Sequence, residues 1–94
     1  MVKHYNINVF GTVQGVFYRA KSKEKADELG IFGFVKNADD GSVYIEAEGQ
    51  ENSLKEFMKW CFIGPEKADV KSVEVEEGDI KGYNTFEIQR IYNN

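Results

Sequence analysis

A chain of 94 residues reads as one domain over 1–94, since neither half alone would bury a usable core. A hydrophobic content of 41%, rich in Phe and Tyr, excludes general disorder, and no apolar run approaches the ~20 residues of a membrane helix. The net charge of −4 argues against a nucleic-acid binder, yet residues 1–36 carry +3 and the remainder −7, so a small anion is drawn to the first segment.

The elements follow in chain order. Tyr5, Ile7 and Val9 alternate with His4, Asn6 and Asn8, which predicts a half-buried strand. His4 is expected to face solvent. From about Tyr18 to Leu29 the period becomes helical, with Ser22, Ala26 and Leu29 on one face, and Gly30 stands where a glycine stops a helix. Ile31–Asn37 and Ser42–Glu48 read as strands joined by the turn Ala38-Asp39-Asp40-Gly41.

The next segment has the clearest pattern. Leu54, Phe57, Met58, Cys61 and Phe62 form a broad apolar stripe, and Ser53 with Glu56 has capping-box spacing. Gly64-Pro65 ends this second helix. A strand over about Val70–Glu77 turns Val73 and Val75 inward, and a short last one over about Thr85–Arg90 turns Phe86 and Ile88 inward. The order is β-α-β-β-α-β plus a terminal strand. It implies an α+β, ferredoxin-like two-layer sandwich, with an antiparallel sheet under two helices. The single Cys61, placed in the apolar stripe, reads as inert core, and no signal peptide is visible; both fit a reducing cytoplasm.

Two places carry chemistry. The loop from Thr12 to Tyr18 contains Gly15 and runs from a strand into a helix N-terminus, where backbone N–H groups and Arg19 suit a phosphate. A plain loop with an exposed arginine fits the same residues. Lys36-Asn37 ends the second strand, where asparagine also serves ordinary turn chemistry.

The run GTVQGVFYR, Gly11–Arg19, and the run GFVKNADDGSVYIEAEG, Gly33–Gly49, resemble the two signature patterns of the acylphosphatase family. GPEKADVKSV, Gly64–Val73, is similar to that family's passage from helix to strand. One departure is Phe34, where many members have tryptophan. The resemblance implies a hydrolase that splits the carboxyl–phosphate bond of acyl phosphates without metal or other cofactor. It implies that Arg19 binds the phosphate and that Asn37 positions the attacking water. Gln14, Gly15, Val16, Phe17, Tyr18 and Arg19 then form the phosphate cradle. The implied partners are a small acyl phosphate and inorganic phosphate, as product and inhibitor. Neither nucleic acid nor membrane is expected, and the chain is expected to act as a monomer.

Neither Gly11–Arg19 nor Gly33–Asn37 holds an Asp, Glu, His or Cys, so both lack a candidate general acid or base, a lack that costs most hydrolyses roughly 10²–10⁴-fold. An acyl phosphate tolerates this, because its carboxylate leaves readily as an anion. Positioning and charge stabilisation then suffice. Asp39 and Asp40 are expected to serve the turn. The competing reading is a ferredoxin-like RNA-binding module, with Phe10, Phe32 or Phe34 as stacking platforms.

Overall fold

In the computed structural model, which describes residues 1–90, the elements are β1 (Val2–Thr12), α1 (Tyr18–Leu29), β2 (Phe32–Asn37), β3 (Val43–Gln50), α2 (Glu51–Ile63), β4 (Asp69–Gly78) and β5 (Phe86–Gln89). Residues 91–94 lie outside the described residues. The five strands form one sheet in the order β4-β1-β3-β2-β5. β1 pairs antiparallel with β3 and β4, and β2 antiparallel with β3, as expected of two joined β-α-β units. The terminal strand departs from the all-antiparallel expectation: β5 runs parallel to β2, so the sheet is mixed.

The core lies between the sheet and the two helices. Ile7 and Val9 of β1, Val35 of β2, Val43, Ile45 and Ala47 of β3 and Phe86 of β5 are buried against Tyr18, Ala26, Leu54, Phe57 and Cys61. α1 stops at Gly30 (φ 70°), where the Ile31 N–H closes back onto the Ala26 carbonyl at 2.9 Å. In β2, Gly33 has φ 144°, and any Cβ there would collide with the Glu46 carbonyl of β3.

Several expectations are corrected. α2 begins two residues before Ser53 and is entered from Gln50, without a side-chain cap, so Ser53 and Glu56 do not form the expected capping box. Phe62 is 55% exposed because the stripe rotates away from the core at the last turn. Val75 is 44% exposed, since β4 is an edge strand and the helices do not reach over its far end.

His4 is the largest correction: it is fully buried. β4 and β5 occupy opposite edges, so their connection, residues 79–85, crosses the helix-free face of the sheet. There His4 Nδ1 lies 2.8 Å from Glu48 Oε2 and its Nε2 2.8 Å from Asn6 Oδ1, while Tyr83 stacks over its ring. Glu48 accepts the backbone N–H groups of Lys81, Gly82 and Tyr83, and Tyr83 donates its hydroxyl to Glu46. Burial pushes the Glu48 carboxyl up, but the Lys81 N–H, His4 and the other two amides outweigh it and hold the group below its usual range.

Candidate active site

The C-terminal end of β2 and the N-terminus of α1 meet around an open cavity of about 270 Å³. Gly15 and Phe17 enter it from the loop, Tyr18, Arg19 and Ala20 from the first turn of α1, and Asn37 from β2. Val13 and Ile88 supply apolar wall, and Arg90, just beyond β5, supplies a second guanidinium. Arg19 and Asn37, read separately from two motifs, therefore share one cavity.

The loop enters α1 through two residues with positive φ, Gly15 (73°) and Phe17 (69°). Glycine adopts this freely, whereas for phenylalanine the left-handed region costs about 1–2 kcal/mol. Phe17 is the one non-glycine residue with positive φ among the described residues. Its ring gains little from burial, being 66% exposed, so backbone strain is held here at the mouth of the site.

The first turn of α1 has neither a capping side chain nor an acidic residue. Its leading N–H groups lack intrahelical acceptors, and the first helical bond, from Lys21 N–H to Phe17 O, leaves those before it open to the cavity. Arg19 adds positive charge where the helix dipole is already positive. A cation at this end is unfavourable to the helix alone and favourable once an anion binds.

Asn37 provides the second feature. Its Oδ1 is buried and, among the described residues, has no hydrogen-bond partner. A buried acceptor left so costs about 1–3 kcal/mol, and a donor entering the cavity removes that cost. The preceding Lys36, read together with Asn37 in the sequence, points to the opposite face, its ammonium 5.6 Å over the Tyr44 ring.

The cradle residues divide by role. Gln14 does not line the cavity: its amide donates to the carbonyls of Ala38 and Ser42, both at 2.8 Å, and so ties the loop to the β2–β3 turn. Val16 packs on the core. Tyr18 lines the cavity, but its ring is buried against Trp60, its hydroxyl donates to the Cys61 carbonyl at 2.7 Å, and burial pushes its pKa far up. Cys61 is itself raised to about 12 by burial, consistent with an inert thiol. Asp40 serves the turn as expected, accepting the Ser42 N–H at 2.9 Å.

Sequence reasoning did not place Ile88 and Arg90 at the cavity. The signal for them is the β5 register, which a four-residue strand does not reveal on its own. Among the described residues, no three His, Cys, Asp or Glu side chains converge as metal ligands would, and no helix is long and apolar enough to cross a membrane.

Comparison with known proteins agrees with this geometry. The family model described as Acylphosphatase matches residues 5–88. The acylphosphatase of Thermotoga maritima is 46% identical over 88 residues, covering 94% of this chain and 98% of that protein. The crystal structure of acylphosphatase from Bacillus subtilis superposes with a TM-score of 0.90 at 39% identity, covering 98% of this chain and all of that one. The structure of an acylphosphatase from Coxiella burnetii gives a TM-score of 0.91 at 35% identity, covering 94% of this chain and 93% of that one. With both signature runs meeting at one cavity and the match extending over nearly the whole fold, the chain belongs to the acylphosphatase family, enzymes that hydrolyse the carboxyl–phosphate bond of acyl phosphates.

Proposed function

We propose that this chain performs that hydrolysis in the cavity between α1 and β2, with Arg19 binding the phosphoryl group and Asn37 aiming the water. Arg19 and the open N–H groups of the first helical turn hold the non-bridging phosphoryl oxygens and gain strength as charge redistributes on them. The buried Oδ1 of Asn37 accepts a hydrogen bond from a water and directs its lone pair at phosphorus, opposite the acyl oxygen. The new O–P bond forms as the P–O bond to the acyl group breaks, and the carboxylate departs with the electron pair. The water's proton passes to a phosphoryl oxygen, giving inorganic phosphate. No side-chain base is needed, in keeping with the absence of one from Gly11–Arg19 and Gly33–Asn37.

The observation that carries this reading is the buried Asn37 Oδ1, without a partner among the described residues, in the same cavity as Arg19. The RNA-binding alternative finds little support. The sheet face it would use is crossed by residues 79–85, Phe34 packs against Tyr44 and Tyr83, and Glu46 and Glu48 lie on that face. Inorganic phosphate is the product and, on this account, a competitive inhibitor. Steady-state hydrolysis of benzoyl phosphate, measured with and without added phosphate, tests the proposal. Turnover with competitive inhibition is expected, and absence of both would reject it.

A further inference from the structure

Phe17 combines three properties that packing does not explain. It lines the cavity, it is 66% exposed, and it holds a left-handed φ of 69°. Glycine would hold that backbone at lower cost, and the small part of the ring that is buried does not offset the strain.

The backbone beneath the ring is fixed. The Phe17 carbonyl accepts the Lys21 N–H at 3.0 Å. On one side Gln14 ties the loop to the β2–β3 turn, and on the other Tyr18 is buried with its hydroxyl on the Cys61 carbonyl. The ring therefore stands at the mouth of the site on a rigid mount, and a group that packs on it has no loop to order first.

The other apolar side chains of the cavity offer less free surface. Val13 and Tyr18 are buried, and Ile88 packs partly into the core. The wall that carries the ring matters as well. Asn37 and Ile88 come from the paired strands β2 and β5, whereas Phe17 and Arg19 come from the loop and α1. In the in-line displacement above, the water is held at the Asn37 wall and the acyl oxygen leaves on the far side of phosphorus. The acyl group then extends away from the strands, toward the loop wall and the opening, where the ring is exposed.

Resting on the acylphosphatase reading above, we propose that the Phe17 ring determines substrate preference: it is a platform for the acyl group and favours acyl phosphates with an aromatic acyl group over acetyl phosphate. An aromatic acyl group packs on the ring by offset stacking or edge-to-face contact, worth about fivefold in affinity at one open ring face. The contact is remote from the reacting atoms and equal in the ground and transition states, so it lowers KM and leaves kcat alone.

Steady-state kinetics with benzoyl phosphate and acetyl phosphate test this in the wild-type chain, Phe17→Gly, Phe17→Asn and Phe17→Tyr. Glycine and asparagine both accept a left-handed φ and lack the ring, whereas tyrosine keeps it. The quantity read is the ratio of the acetyl phosphate KM to the benzoyl phosphate KM. Comparing this ratio between variants cancels the intrinsic difference between the substrates and any effect on the phosphate cradle they share. The ratio is expected to fall by about fivefold in Phe17→Gly and Phe17→Asn, either of which alone decides, and to stay near the wild-type value in Phe17→Tyr. A wild-type ratio in the ring-free variants, with any loss shared equally by both substrates, would overturn the inference and leave Phe17 a part of the phosphate cradle alone. So would a benzoyl-specific loss confined to kcat. Failure of the wild type to hydrolyse either substrate would instead reject the acylphosphatase reading, and the inference with it.

Discussion

The side-chain amide of Gln14 donates to the carbonyl of Ala38 at 2.8 Å, and this bond joins the anion loop to the residue that follows Asn37. A second bond to Ser42 O completes the tie. The two halves of the site come from separate motifs, and Gln14 links them directly. Gln14→Ala is expected to lower stability by about 1–2 kcal/mol through the loss of these bonds. It should also lower kcat, because Arg19 and Asn37 lose their common frame. Thermal unfolding and benzoyl phosphate turnover on the same preparation check both effects.

Arg19→Ala should remove most phosphate affinity and activity and yet leave a folded chain. Without phosphate the variant is expected to be more stable by about 0.3–1 kcal/mol, because a cation leaves the positive end of α1. Phosphate should raise the melting temperature of the wild type by mass action but leave the variant unmoved. Thermal shift across a phosphate titration reads both signs at once.

Hydrolysis should persist in EDTA. Neither Gly11–Arg19 nor Gly33–Asn37 contains a His, Cys, Asp or Glu, and no three such side chains converge among the described residues. Loss of turnover on chelation, restored by a divalent ion, would contradict the mechanism.

The strap over the sheet predicts an acid-sensitive fold. Glu48 has its carboxyl pKa depressed in the folded chain, so its contribution is fully present above the ordinary value of 4.5 and is lost as pH falls through the lower, folded value. Glu48→Gln should cost about 1.5–3 kcal/mol at neutral pH, the worth of a charge-assisted bond, with a smaller penalty at pH 3. Denaturant unfolding at the two pH values measures the difference.

Much of this molecule is legible in its sequence. The alternation of Ile7 and Val9, the stripe Leu54, Phe57 and Cys61, and the stop at Gly30 are local patterns, and each marks an element the structure contains. The meeting of Arg19 with Asn37 follows from two motifs whose spacing suits one topology. What was not legible depends on non-local pairing. His4 reads as a polar residue facing out, and only residues 79–85, far along the chain, bury it. The direction of β5, and with it the arrival of Arg90, depends on which edge that strand joins. The start of α2 at Glu51 escaped because Ser53 and Glu56 mimic a cap that the helix does not use.

The central claim is that Asn37 acts on the water and not on the phosphate, and Asn37→Ala tests it most directly. With Arg19 and the helix amides intact, the inhibition constant for inorganic phosphate should change by no more than about twofold, whereas kcat should fall by ~10²-fold or more, comparable with losing one preorganised transition-state hydrogen bond. A variant that is merely less stable, with normal kcat per folded molecule, would remove Asn37 from the chemistry and contradict the account.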